Sequence, residues 1–307
     1  MTDTTTISNP PPVQEDSGIA RESGAIPSPG ALALRRFLRH KLAVLGLSVL
    51  AIIVLSAILA PVLTPWEPNQ VDLRARSQPP SADHWLGTDR TGRDVLTRTL
   101  YAGRISLLVG VVAVAISVAI GAILGSIAGY FGGLWDSIIM RFTDVVMTFP
   151  PIVAILTLAA IAGPGVRNII IIIGILNWPV PCRLVRSKLL TIRQQEYVHA
   201  AQLLGASPTR IITRHALPNA LDVLIVYSSL GVATAILLEA GLSFLGLGVQ
   251  PPTSSWGNML NVARNVSALE GQPWLWLPAG IAIVLTVLAV NFVGDGLRDA
   301  LDPRLKL

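Results

Sequence analysis

The sequence predicts an all-α membrane protein that crosses the bilayer six times. Hydrophobic residues make up 52% of its 307 positions and charged residues only 13%, whereas soluble domains carry about 25% charge. The mean hydropathy is +0.61, and long uncharged runs of the length needed to cross a hydrocarbon layer recur along the chain. These runs predict spans at residues 42–63, 105–130, 145–162, 168–185, 223–245 and 275–293.

Basic clusters indicate which side of the membrane holds the termini. One cluster precedes the first span at 35–41, a second follows the fourth span at 183–214, and a third follows the sixth span at 298–306. Six spans place all three clusters on the same side, and the positive-inside rule predicts that this side is the cytoplasm. We therefore expect a multi-pass membrane protein with both termini in the cytoplasm.

The chain divides into five predicted segments. Residues 1–34 are rich in Thr, Ser, Pro and acidic side chains, a composition typical of a disordered tail. The remaining segments are a basic flank with the first span at 35–63, an external segment with an amphipathic helix at 64–104, a core of five spans at 105–296 that includes a polar loop at 186–222, and a cytoplasmic tail at 297–307.

Several kinds of activity lack the residues that they need. No Walker A sequence is present, because the only lysines are Lys41, Lys188 and Lys306 and none follows a glycine-rich run. Cys182 is the single cysteine, and the four histidines are scattered without metal-ligand spacing. The basic residues adjoin spans and do not form a face for nucleic acid. We predict no catalytic residue, no metal site and no cofactor held by this chain.

The polar loop contains a segment, residues 196–219, that predicts two short helices. Ser207 and Pro208 supply an N-cap followed by proline at the first helical position. Gly205 frees the backbone just before them, and Pro218 is expected to end the second helix. Another protein can bind such a structured segment between two spans. This favours a channel or carrier that is driven by a separate protein chain.

Small residues recur every four positions along one face of the second span. Such spacing lets helix backbones approach closely, and it predicts a packing seam either within the bundle or against a second membrane subunit. The residues of the seam are Ser117, Gly121, Gly125 and Gly129.

Three residues inside the spans are candidates for the path or gate of a substrate. Pro150 and Asn177 lie beside prolines that interrupt spans three and four, where kinks either line a pathway or serve packing. Glu239 is an ionisable residue toward the external end of span five. It contacts either a peptide amine or a neighbouring helix, and we favour the structural role.

The external segment offers a candidate docking surface. Acids and bases alternate around two glycines, a pattern of either a solvated turn with an amphipathic helix on the membrane surface or a surface for a binding protein. The docking candidates are Asp89, Arg93, Asp94 and Gln250.

The segment 196–219 resembles the cytoplasmic coupling loop of ABC importer permeases, whose signature reads E-A-A, three residues, G, nine residues, I-x-L-P. The residues that fit this signature are Ala200, Ala201, Gly205, Leu217 and Pro218. His199 replaces the usual glutamate and His215 the usual isoleucine. Three further segments, at 84–107, 241–258 and 291–303, are similar to the dipeptide/oligopeptide branch, and most closely to its C-type subunit.

This resemblance implies the fold, the partners and the contact residues. The fold would be that of a type I ABC importer permease with a cytoplasmic coupling helix, and the location would be a bacterial plasma (inner) membrane. The partners would be a homologous second permease, two cytoplasmic subunits that bind ATP and magnesium, an external substrate-binding protein or lipoprotein, a peptide substrate and membrane lipid. The residues expected to contact an ATPase subunit are Glu196, His199, Ala200, Ala201, Leu204, Gly205, Ala206, Leu217 and Pro218.

Other interpretations remain open from the sequence. A stand-alone secondary transporter or channel would need no partner, although neither an inverted repeat nor a selectivity-filter sequence is evident. A membrane-embedded enzyme would need a catalytic cluster. Within the branch, the substrates include dipeptides, longer peptides, glutathione, nickel chelates and haem, and the sequence does not choose among them.

Overall fold

The computed structural model describes residues 29–301, and this part of the chain is built of helices and connecting segments. Five helical segments are long and apolar enough to cross a membrane, and a sixth span results if one bent pair of helices is counted as a single span. The five are Lys41–Ile58, Val95–Phe131, Val166–Ile192, Pro208–Phe244 and Leu277–Leu301. The prediction of an all-α membrane protein is confirmed.

Fourteen α-helices follow one another within residues 29–301. They are α1 (Pro29–Arg39), α2 (Lys41–Ile58), α3 (Ala60–Leu63), α4 (Val95–Phe131), α5 (Gly133–Thr148), α6 (Pro151–Ala162), α7 (Val166–Leu176), α8 (Pro179–Ile192), α9 (Glu196–Leu203), α10 (Pro208–Ile211), α11 (Leu221–Phe244), α12 (Trp256–Leu260), α13 (Val266–Gly271) and α14 (Leu277–Leu301).

Helices extend into both of the segments that the sequence predicts to be tails. Helix α1 begins at Pro29, so the last six residues of the tail predicted at 1–34 are helical. Phe37 of α1 packs onto Gly296 of α14, and this apolar contact orders a segment that composition alone describes as polar. Helix α14 continues through Leu301, which shortens the tail predicted from 297. The rest of both tails, at 1–28 and 302–307, lies outside the described residues.

Helix α4 begins ten residues before the span predicted at 105–130, and residues 64–94 contain only the 3-10 turn Leu73–Ala75 and not the amphipathic helix that was predicted there. Asp94 caps its first turn by accepting the backbone N–H of Thr97 at 2.7 Å. Two arginines lower the hydropathy of this part of α4, so the predicted span began only after them. Arg98 is buried against Asp89, and Arg104 donates to the carbonyls of Ala57 and Ile58 at the end of α2.

The third predicted span, at 145–162, is two helices rather than one. Helices α5 and α6 meet at a bend of 82°. Phe149 stands before two prolines and adopts an extended backbone, as expected where the ring of a following proline disfavours helical geometry. The prolines that predict a kink in this span therefore stand at the bend, which is sharp enough to divide the span into two helices.

The long helix α4 lies at the centre of the bundle. It packs against α7, α8 and α11, while α14 joins α2 to α11. At about 1.5 Å per residue its 37 residues extend roughly 55 Å. Its two ends therefore carry two separate regions, the 64–94 segment at one end and the loop after α8 at the other.

Candidate functional site

The segment that joins α8 to α11, residues 193–220, is here called the connector. It contains α9 and α10, followed by a π-helical turn over Ile212–Ala216 and a 3-10 turn over Pro218–Ala220. Ser207 caps α10 by accepting the backbone N–H of Arg210, with Pro208 at the first helical position, as predicted. The predicted stop at Pro218 is wrong. Proline opens the 3-10 turn, where its missing N–H is not needed, and helical turns continue into α11.

The turn at Gly205 fixes the direction in which α9 ends. The backbone N–H of Ala206 donates to the carbonyl of Ala201 at 3.0 Å, and that of Gly205 donates to Gln202 at 3.0 Å. This pair of hydrogen bonds is the Schellman motif, which needs a left-handed residue just after the helix. Gly205 supplies it with φ of +80°. Glycine is therefore required here for its backbone conformation. Lack of space is not the reason, since an added Cβ would meet no atom within 4 Å.

One side of the connector is packed firmly against the helices that it joins. Val198 of α9 and Ile211 of α10 are buried, and both belong to one apolar cluster with residues of α8 and α11. The other members of the cluster are Val185, Leu189, Ile192, Ala216, Ala220 and Leu224. Arg193 adds a hydrogen bond of 3.0 Å to the carbonyl of Tyr130 at the end of α4. A displacement of the connector would therefore be passed to α8, α11 and α4.

The opposite side of the connector is apolar and uncovered at its tip. Leu203 and Leu204 are 89% and 88% exposed, the two highest values among large hydrophobic residues between 29 and 301. Of the predicted contact residues, the exposed ones are Glu196, His199, Ala200, Leu204, Gly205 and Pro218, and the half-buried ones are Ala201, Ala206 and Leu217. All nine residues are therefore at least partly accessible at the surface.

The small-residue seam on α4 faces α8 of the same chain. Gly121, Gly125 and Gly129 are buried, and a Cβ on each would fall 2.4–2.8 Å from atoms of α8, such as the carbonyl oxygen of Cys182 opposite Gly125. Ser117, one turn before Gly121 on the same face, donates a long hydrogen bond of 3.4 Å to the carbonyl of Asn177. Of the two partners considered for this seam, the structure places α8 against it.

A cavity of about 300 Å³ lies between α4, α7 and α11. Asn177 and Ser117 line it, together with Tyr227, whose hydroxyl donates to the Asn177 carbonyl at 3.2 Å. Pro150 does not line this cavity and is exposed at the bend between α5 and α6. Tyr227 was missed by the sequence analysis. Its position four residues before Gly231, another lining residue, is the helical spacing that could have drawn attention to it.

Glu239 is fully buried and lies outside that cavity. Its carboxylate accepts hydrogen bonds from Ser106 of α4 at 3.0 Å and from Ser243 of α11 at 2.7 Å. These contacts support the structural role favoured from the sequence over contact with a substrate amine.

A second cavity, of about 330 Å³, lies at the opposite end of α4 from the connector. It lies between the 89–98 segment and the loop 246–262, which includes the short helix α12. Three of the four docking candidates, Asp89, Arg93 and Gln250, line it. The fourth, Asp94, is buried, caps α4 and bonds His84 at 2.9 Å, so its assignment as a docking residue is wrong. Arg98 also lines this cavity and is buried, although the sequence predicts it to lie in an amphipathic helix on the membrane surface.

Asp89 organises the wall of this second cavity. Its Oδ1 accepts hydrogen bonds from the backbone and hydroxyl of Thr91 and from the backbone of Arg93, and its Oδ2 accepts from Arg93 Nε at 2.7 Å. Burial by itself would raise the pKa of Asp89. The hydrogen bonds from Thr91 and Arg93 and the charge of Arg93 outweigh burial and hold the pKa below its usual value.

Comparison with known proteins places the chain in a family. Residues 121–307 match the family profile described as "Binding-protein-dependent transport system inner membrane component". The chain belongs to this family of transport permeases. Residues 28–80 of the permease match a second profile, "N-terminal TM domain of oligopeptide transport permease C". The predicted resemblance to importer permeases is thereby confirmed.

Curated relatives cover nearly the whole permease. A putative peptide permease protein of Brucella suis biovar 1 (strain 1330) is 50% identical over 280 residues, which are 91% of this chain and 92% of the relative. The dipeptide transport system permease protein DppC of Alkalihalophilus pseudofirmus is 42% identical over 298 residues, which are 97% of this chain and 95% of the relative.

Proposed function

We propose that this permease is one of the two membrane subunits of an ATP-driven importer for dipeptides or longer peptides. It forms half of the translocation path and catalyses no bond chemistry. The names of its relatives support a peptide cargo. Two cytoplasmic subunits that hold ATP and magnesium supply the energy, and a homologous permease and an external substrate-binding protein complete the importer. The connector then faces the cytoplasm, as do both termini.

The observation that carries this proposal is the exposed apolar tip of a firmly attached connector. Leu203 and Leu204 present two leucine side chains to solvent beside a rigid Schellman turn. Such a helix end fits into an apolar cleft on a partner, and the buried cluster beneath it is contiguous with α8 and α11. Closure of the ATPase pair would thus move both helices and open or close the path between them.

The proposal is tested by asking whether the ATPase subunits stay bound to the permease when Leu203 and Leu204 are replaced. The double variant L203S/L204S removes the apolar contact without altering the buried side of α9. We expect the ATPase subunits to be lost when the permease is purified from membranes and peptide uptake to fall to background. The matched control is Leu73→Ser, an exposed leucine at the other end of the bundle. Wild-type co-purification by the double variant would refute the proposed coupling site.

A further inference from the structure

We propose that the cavity between the 89–98 segment and the loop 246–262 receives a carboxylate side chain of the external substrate-binding protein. This inference rests on the proposed function, because it requires a binding protein that docks on the face opposite the connector. It adds the site, the chemical group that is recognised and the arginine that recognises it. The cavity is here called the arginine pocket, and it is lined by Asp89, Arg93, Arg98, Gln250 and Asn261 among others.

The charges lining the arginine pocket do not balance. Two guanidinium groups, Arg93 and Arg98, face a single carboxylate, Asp89, so the lining carries one net positive charge. Glu239 does not line the pocket, since it lies behind Ser243, whose hydroxyl donates to it. An anionic group entering the pocket would restore neutrality, whereas a cation would meet a carboxylate whose oxygens are already occupied by Thr91 and Arg93.

Arg93 has the donors that a carboxylate needs. Its Nε is used by Asp89 at 2.7 Å, and this bond fixes the plane of the guanidinium. Within residues 29–301 no hydrogen bond joins its two terminal nitrogens to another residue of the chain, and the side chain is mostly buried but keeps 18% of its surface exposed. Two free parallel N–H groups match the two oxygens of a carboxylate, and this paired geometry is the strongest that arginine offers.

Arg98 provides long-range attraction and a fixed wall rather than the direct contact. It is buried, with its Nε 3.6 Å from Asp89 and one terminal nitrogen 3.3 Å from the carbonyl of Pro68. A buried positive charge near the pocket is screened less by salt than an exposed one. Gln250 lies at the exposed edge, where its amide nitrogen bonds the carbonyl of Gly246 at 2.9 Å and its oxygen stays available.

The choice of a protein carboxylate over a lipid or free anion follows from the position of the pocket. It opens at the N-terminal end of α4, and the rest of its lining is apolar side chains, glycine, amide side chains and Ser243, without a further charge. A single net charge suits one carboxylate. The family is described as binding-protein-dependent, and in the proposed importer the binding protein docks on the face opposite the connector.

The experiment titrates the substrate-binding protein of the same transport system onto the complete importer reconstituted in lipid nanodiscs. Arg93→Gln is compared with Arg90→Gln, which removes the same charge from an exposed residue of the same turn that does not line the pocket. We expect R93Q to raise the Kd about tenfold or more and R90Q to change it less than about twofold. Arg93→Lys should give an intermediate Kd, since it keeps the charge and loses the fork.

A second pair of variants tests the pocket without touching the Arg93–Asp89 bond. Gln250→Glu adds a negative charge at the edge of the pocket, whereas Thr253→Glu adds it three residues away on an exposed side chain outside the lining. We expect Q250E to raise the Kd about fivefold and T253E to leave it near wild type. If R93Q disrupts the external turn, this pair alone decides the proposal.

Two results would overturn the inference. One is a wild-type Kd in R93Q or in Q250E, or a change in either control as large as that in its partner variant. The other is weakening confined to peptide-loaded binding protein, which would assign the pocket to the carboxylate of the peptide. Each complex is first checked for retention of its ATPase subunits. Their absence from the wild-type complex would count against the proposed function and not against the arginine pocket.

Discussion

Ser106 on α4 donates a hydrogen bond of 3.0 Å to Glu239 on α11, although the two residues are 133 positions apart. The same Ser106 hydroxyl accepts the backbone N–H of Trp256 at 3.1 Å, and Ser243 accepts that of Val249 at 2.9 Å. One buried carboxylate therefore joins two spanning helices to the loop that forms a wall of the arginine pocket.

Replacing Glu239 should destabilise this junction in proportion to the acceptors lost. Glu239→Leu leaves two buried hydroxyl donors without an acceptor, at a cost of about 1–3 kcal/mol each. Glu239→Gln retains one oxygen and should cost less. The measurement is the thermal unfolding midpoint of the purified importer. Midpoints for E239L equal to those of the wild type would contradict the structural role of this carboxylate.

Adding one methyl group to the seam should also destabilise the bundle. In Gly125→Ala the new Cβ would lie 2.4 Å from the carbonyl oxygen of Cys182, and backbone cannot move aside as a flexible side chain can. We expect a loss of about 1–3 kcal/mol. Gly241→Ala is the matched control on α11, where an added Cβ meets no atom within 4 Å and better helix propensity should be neutral or stabilising. Equal unfolding midpoints for the two variants would refute the seam against α8.

The conformation of Gly205 should control transport without affecting insertion into the membrane. Its φ of +80° costs a residue with a Cβ about 1–2 kcal/mol, and the cost is least for asparagine. We expect Gly205→Val to reduce ATP-driven uptake of a labelled dipeptide strongly and Gly205→Asn to reduce it mildly, with equal amounts of permease in the membrane fraction. Full uptake by G205V would show that the Schellman turn is dispensable.

The Asp89 carboxylate should stabilise the external segment only while it is ionised. Its pKa is lowered in the folded protein, so its contribution is complete above its unfolded value of about 3.9 and is lost as the pH falls through the lower folded value. The difference in unfolding midpoint between wild type and Asp89→Asn should therefore be constant near neutral pH and shrink below about pH 4. A difference that stays the same at pH 3 would contradict this assignment.

Local chemistry allowed much of the connector to be predicted from sequence. The Ser207–Pro208 cap, the left-handed Gly205 and the two short helices all follow from backbone preferences that act within a few residues. The four-residue spacing of the seam likewise predicts which face of α4 carries small side chains. It does not predict that α8 lies against that face.

Features that depend on burial or on distant contacts were not predicted. The first turns of α4 were missed because hydropathy counts Arg98 as polar although it is buried against Asp89. Helix α1 is ordered by α14, which lies more than 230 residues further along the chain.

The most direct test of the account is the environment of Leu204 in the assembled importer. Cys182 is the only native cysteine and is buried, so Leu204→Cys introduces a single accessible thiol. We predict that a membrane-impermeant maleimide labels L204C in inside-out vesicles stripped of the ATPase subunits, and that the rebound subunits protect it. Labelling in intact spheroplasts, from the external side, would contradict the account.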